Sequence, residues 1–228
     1  MEHISRLVSE LMRCAQAETG NPQEGDYLRY QMGGYELTYQ ESREEGKELP
    51  RYDLTITPTY YTTAEEEKAV TEEVRQILKE LRFLPWTSEK TRVKKIYDRI
   101  LSRVSYDSIH KSSLYHKKST AYAALFHHRA ACQGYSVLAY RLLREAGIDC
   151  RVITGEAVYE GVEQFHAWNI VKIGNLYYNL DSTWDSRLGE DRYYMTGSGQ
   201  FTDHSPGEEF CTESFQARYP VSFTALPR

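Results

Sequence analysis

The 228-residue chain is 40% apolar and 27% charged, with a formal net charge of −5, the profile of an ordinary globular protein long enough to bury a real core. The negative balance supplies no global field for nucleic acid, and no run of about 20 apolar residues is there to span a membrane. The first twenty residues carry charges throughout, unlike a secretory leader; as written the sequence reads as cytoplasmic, or as exported if a leader has been trimmed.

Ile4, Leu7, Val8, Leu11, Met12 and Ala15 stand at helical spacing and predict a packing helix. The stretch 27–40, YLRYQMGGYELTYQ, alternates around Gly33-Gly34 and predicts a hairpin; 51–61 alternates too, with Pro58 pointing to an edge or strand end, and the charged segment 41–48 between them reads as a loop. Nineteen tyrosines suit half-buried strands and a groove rim. Thr63 and Glu66 form a capping box, so a helix starts there with Val70, Val74, Ile77, Leu78 and Leu81 as its buried stripe and Pro85 as its stop. A second helix follows Thr87-Ser88, facing Val93, Ile96, Tyr97, Ile100, Leu101 and Val104 inward. Residues 105–119 are polar and loop-like, the basic HKKS at 116–119 reads as solvated, and TAYAALF is a short helical piece. From Cys132, the residues Tyr135, Leu138, Ala139, Leu142, Leu143 and Ala146 keep helical phase until Gly147 ends the run. Strands are predicted at 150–159, 165–173 and 176–184, followed by a mostly irregular tail with one further strand. Helices followed by strands indicate an α+β fold, divided into an N-terminal helix and β extension (1–62) and a core (63–228).

The four cysteines, at 14, 132, 150 and 211, show no CxxC or Cys/His ligand spacing, so neither zinc nor another metal or cofactor is expected. Cys132 differs from the others by opening a helix, where unpaired amides and the helix dipole favour a thiolate and its own amide can hold an oxyanion; Gly134 leaves room for a substrate backbone. The plain alternative is a small buried residue. A thiolate nucleophile needs a base. Of the seven histidines, His166 is the candidate, because it sits inside a strand-like run; His110, His116, His127 and His128 lie in polar surroundings and read as surface residues. The orienting acceptor would be Asp181. With Gly174-Asn175 as a two-residue turn, paired residues sum to 349, Trp168 faces Asp181, and His166 becomes a diagonal neighbour of Asp181 on one face. Asp185 is the rival, beyond the strand end, and Asp181 is otherwise a turn or capping residue. Trp168 and Trp184 either wall the site as substrate-binding residues or pack the core.

The segments TAYAALFHHRAACQGYSVLAYRLLREAGI, HAWNIV and YYNLDSTWD, in the order Cys, His, Asp, resemble the transglutaminase-like superfamily of papain-like thiol enzymes. The later YYMTGSGQFTDHS resembles the segment that follows the core in bacterial members, so the close similarity covers about residues 87–205 and a looser one most of the chain. The resemblance implies a nucleophile-bearing helix packed on an antiparallel sheet that carries base and acid: Cys132 as nucleophile, His166 as general base and acid, Asp181 as orienter. It also implies a protein or peptide carboxamide as substrate, with an amine or water taking the acyl group. FHHRAAC departs from the pattern, since relatives often have a glycine-containing turn before the cysteine. A non-catalytic binding module on the same fold is the alternative.

Overall fold

The computed structural model describes residues 2–43, 46, 50–108 and 116–227. The expected loops at 41–48 and 105–119 fall partly outside the described residues, and His110 wholly so. In chain order the elements are α1 (Glu2–Ala15), α2 (Asp26–Gln31), β1 (Met32–Ser42), β2 (Arg51–Tyr60), α3 (Ala64–Leu81), α4 (Glu89–Arg103), β3 (Ser105–Tyr106), β4 (Arg129–Ala130), α5 (Cys132–Glu145), β5 (Cys150–Tyr159), β6 (Val162–Ile173), β7 (Leu176–Leu180), α6 (Ser182–Leu188), β8 (His204–Pro206) and α7 (Glu213–Arg218). The architecture is α+β. Its main sheet is antiparallel, in the order β7-β6-β5-β8.

Local signals set the helices. Thr63 accepts from the Glu66 amide while Glu66 reaches back to the Thr63 amide, the reciprocal cap expected of α3; Ser88 caps α4 through the Thr91 amide. Helix α3 stops at Leu81, four residues before Pro85, because Arg82 turns left-handed there. Their inward stripes meet α5, whose Tyr135, Leu138, Leu142 and Leu143 are each at most 2% exposed, and the cluster extends to Val152, Val171 and Leu180 of the sheet. Each such side chain contributes about 1.5–3 kcal/mol of apolar burial. A second cluster holds Ile153, Trp168, Ile170, Tyr177, Trp184, Tyr193, Phe201, Phe210 and Tyr219. The alternating side chains of the sheet therefore feed two cores, one with α5 and one with the C-terminal segment.

Three sequence expectations are corrected. Residues 27–40 form no hairpin: 26–31 are helical, and β1 pairs instead with β2 across the 41–48 segment, from Met32↔Tyr60 to Ser42↔Arg51. Gly33-Gly34 is a bulge in β1, where the register shifts between Met32 and Gly34. Helix α1 forms, but of its predicted inner face Val8 is 1% exposed while Leu7 and Leu11 remain 46% and 44% exposed, since it touches the body along one narrow line. Of the basic HKKS only His116 is exposed. Lys118 is buried, Lys117 pairs with Glu66, and the Lys118 carbonyl accepts from the Ala131 amide at 2.9 Å, directly beneath the start of α5.

That contact also removes the space attributed to Gly134. A Cβ there would lie 2.5 Å from the Lys118 carbonyl oxygen and 2.8 Å from Ala130 Cβ, so the room is filled by the chain itself. Gly134→Ala is expected to cost about 1–3 kcal/mol through overpacking, despite the better helix propensity of alanine, and to lower the melting temperature by several degrees. A melting temperature equal to wild type or higher would show that the 117–120 turn yields freely.

The N-terminal segment is locked to the core by charge. Asp26, 1% exposed, takes both a bidentate Arg151 contact (2.7 and 2.9 Å) and the Val152 amide at 2.7 Å, and losing one member of such a buried pair costs about 3–5 kcal/mol. One turn further along α2, the Tyr30 carbonyl accepts from the Gln133 side chain, fixing this segment beside Cys132.

Candidate active site

Cys132 is the first residue of α5, and Ala131 before it provides no side-chain cap. The first-turn amides have no intrahelical partner and form the positive end of the helix. The cysteine is half-buried, whereas Cys150 is buried and Cys14 and Cys211 are exposed; all four are free thiols. Ahead of it the chain makes a π-helical turn, Ala123–His127, closed by His128 at φ 54°. A left-handed backbone is where glycine is ordinarily found, so His128 holds a conformation that glycine would adopt more easily. His127 and His128 are exposed, as expected; His116 is exposed too, stacked on Tyr61 at 5.0 Å.

His166 and Asp181 reach each other through the β6–β7 hairpin. Gly174 has φ 62° and Asn175 has no positive φ, the pattern of a type II′ turn. The ladder runs from Ile173↔Leu176 to Asn169↔Leu180, the register in which Trp168 and Asp181 come next. The strand, however, ends at Leu180 and not at 184. Asp181 becomes the N-cap of α6, its Oδ1 accepting from the Thr183 and Trp184 amides at 2.9 and 3.2 Å. Its Oδ2 is 2.7 Å from His166 Nε2. The cap of α6 and the contact with His166 thus fall on the two oxygens of one carboxylate.

With Nε2 engaged by Asp181, the nitrogen left for sulfur is Nδ1, and Cys132 lies close enough to favour the charged ring. Burial alone would lower the pKa of His166. The Asp181 carboxylate, by charge and hydrogen bond, and then the Cys132 sulfur outweigh burial and raise it to about 10. Asp181 is held well below the usual carboxylate range: burial opposes ionisation, and His166 followed by His204 overcomes it. A raised imidazole pKa means that folding favours the protonated ring. This contribution to stability is complete below about pH 6.5 and is lost as pH rises through about 10. The stability of wild type relative to His166→Gln, from denaturant titrations, is therefore expected to decline between those two values; a difference independent of pH would contradict an imidazolium at this position.

Asp185, the rival acid, does not meet His166. It accepts from the Tyr97 hydroxyl and from the Tyr193 amide at 2.9 Å, and burial pushes its carboxyl up to about 7, so it braces α6 against α4. Trp168 and Trp184, considered for a substrate wall, are each 1% exposed and sit with ring centroids 6.3 and 5.1 Å from that of His166. They pack against the imidazole, Trp184 from within the core and Trp168 from between the ring and a neighbouring cavity. A cavity of about 410 Å³ is lined by Ile153, Trp168, Ile170, Phe210 and Tyr219 among others. Cys132 does not line it, so an acyl group on the sulfur would not occupy it.

One residue of the cluster went unread in the sequence. His204 Nε2 lies 3.2 Å from the same Asp181 Oδ2. Its only local signal is the DHS of the tail, which carries no period or turn chemistry to show that it folds back on the sheet. Among the described residues, His166, Asp181 and His204 are the one group of three whose ligating atoms fall within 4.8 Å of one another. Two ligands of one tetrahedral ion, each 2.0–2.1 Å away, stand roughly 3.3 Å apart; the 2.7 Å His166–Asp181 contact is too short for that and is a hydrogen bond.

Residues 82–182 match the family model of the transglutaminase-like superfamily. Among solved structures, the chain is similar to a TGase crystal structure, at 20% identity and a TM-score of 0.46 over 64% of this chain and 44% of that one. It is also similar to a candidate cysteine protease from Cytophaga hutchinsonii, at 15% identity and a TM-score of 0.40 over 67% of this chain and 65% of that one. The chain thus spans less than two thirds of either protein. No curated protein matches its sequence. The matched residues 82–182 include both the opening of α5 and the β6–β7 hairpin, so it is the part of the chain carrying Cys132, His166 and Asp181 that is similar to the transglutaminase-like superfamily.

Proposed function

We propose that the protein is a thiol acyltransferase or amidohydrolase acting on carboxamides of a protein or peptide, with Cys132, His166 and Asp181 as its catalytic residues. The Cys132 sulfur attacks the carbonyl carbon, forming a C–S bond as the carbonyl electrons move onto oxygen. The Cys132 amide, which has no intrahelical partner, donates to that oxyanion. On collapse the C–N bond breaks and the leaving nitrogen takes its proton from imidazolium Nδ1 of His166. An amine or water then gives a proton to the ring and attacks the thioester, releasing an amide or an acid and restoring the thiolate–imidazolium pair. Asp181 keeps the Nε2–H engaged throughout, so that Nδ1 faces sulfur.

The observation that supports this most is the ordered contact series: a half-buried sulfur at a bare helix start, an imidazole, and a buried carboxylate at 2.7 Å. The test uses wild-type protein and glutamine-containing peptides, with and without a labelled primary amine, together with iodoacetamide and site mapping by mass spectrometry. Expected are ammonia release and alkylation of Cys132 ahead of the more exposed Cys14 and Cys211. Amine incorporation identifies transfer, and acid product identifies hydrolysis. Alkylation that follows exposure alone, with neither product formed, would overturn the proposal.

A further inference from the structure

The sheet order brings a second imidazole to the site. His166 on β6 pairs with Gly155 of β5, and His204 on β8 pairs with Ala157 of the same strand. Directly paired residues share a face, as do residues two apart, so both rings rise from one face with only Gly155 and Ala157 between them. The small residues are needed there. A Cβ on Gly155 would fall 2.1 Å from the Ser205 carbonyl oxygen, pushing away the strand that carries His204.

The His204 side chain is wholly buried. Its ring is stacked on Phe201 with centroids 3.8 Å apart and lies 4.3 Å from Trp184, which fixes its plane. Its Nε2 is 3.2 Å from Asp181 Oδ2 and its Nδ1 is 2.8 Å from Asp203 Oδ1; the other Asp203 oxygen accepts from the Tyr193 hydroxyl at 2.6 Å. Asp181 thus meets four nitrogens, two amides on Oδ1 and two imidazole nitrogens on Oδ2. A carboxylate oxygen accepts two donors with ease, and with both sites filled Oδ2 has no freedom to turn from His166.

We infer that His204, backed by Asp203, is a positioning residue of the thiol site, holding Asp181 Oδ2 where it orients the His166 imidazole. The inference rests on the proposed thiol chemistry for its consequence, but on the carboxylate geometry for its substance. It separates the roles of the two histidines: His166 meets sulfur, and His204 touches no reacting atom.

The test compares His204→Gln, which keeps an N–H donor near the Nε2 position, with His204→Leu, which has none. Both remove the imidazole, so their difference isolates the hydrogen bond to Asp181. Two readouts are taken, the rate of Cys132 alkylation against pH and the His166 titration followed by ring ¹⁵N shifts. His204→Gln is expected to alkylate within about threefold of wild type and His204→Leu about tenfold or more slower, the scale of a small misplacement in a site. His166 is expected to titrate lower in His204→Leu than in His204→Gln. Equal behaviour of the two variants in both readouts would overturn the inference. If wild-type Cys132 proves no more reactive than the exposed thiols, the thiol-enzyme reading fails, while the His166 titration still decides the role of His204. Should His204→Leu not fold, His204→Asn, polar but too short to reach Asp181, takes its place in the same comparison with the same outcomes.

Discussion

Replacing Cys132 with alanine is expected to remove ammonia release from glutamine peptides by a factor of about 10⁵–10⁶, to the background of the uncatalysed reaction, because a deleted nucleophile leaves the base and acid with nothing to activate. The fold is expected to survive. Cys132 is half-buried and its neighbours in α5 are held by Tyr135, Leu138 and Leu142, so the change in stability should stay within about 1 kcal/mol. The same variant has a second signature. Cys132 is one of the groups that raise the His166 pKa, so the imidazole should titrate lower once the sulfur is gone. Measuring turnover, melting temperature and the His166 titration on one preparation separates lost chemistry from lost structure. Persistent ammonia release by purified Cys132→Ala would refute the assignment of the nucleophile.

Asp181→Asn carries the next largest expected loss, about 10⁴-fold in turnover, the scale seen when an orienting carboxylate becomes an amide in the serine-protease triad. The substitution preserves shape and one of two functions. The amide oxygen can still accept from Thr183 and Trp184 and cap α6, but the NH₂ then faces Nε2 of both His166 and His204. To avoid opposing donors, His166 must carry its proton on Nδ1, where the thiol proton has to be received. Turnover should therefore collapse while α6 remains, and Asp181→Ala should lose the cap as well, at a further cost of about 0.5–2 kcal/mol in denaturant titrations. Turnover of Asp181→Asn within tenfold of wild type would mean that His166 needs no acceptor at this position.

Why the site was partly legible follows from the range of the forces involved. The meeting of His166 and Asp181 depends on a two-residue turn at Gly174-Asn175 and on strict alternation along two adjacent strands, both local, and the register drawn from them agrees with the ladder from Ile173↔Leu176 to Asn169↔Leu180. The Thr63 and Ser88 caps were likewise readable because each involves only the first turn of its own helix. Where one local signal had two valid outcomes, the reading failed. Gly33-Gly34 is compatible with a turn or a bulge, and the choice fell to the partner strand 51–60, distant along the chain.

By itself, then, the sequence determined the α5 helix with a cysteine at its start, the β6–β7 hairpin that sets histidine beside aspartate, and the stripes that bury α3 and α4. Only the tertiary structure decided that β8 adds to the edge of β5, that Trp168 and Trp184 pack against the imidazole, and that His204 shares the Asp181 carboxylate. Helix phase and short turns are encoded by neighbours a few residues apart, whereas the pairing of remote strands and the filling of a carboxylate's last acceptor site are settled by which surfaces remain when the core closes.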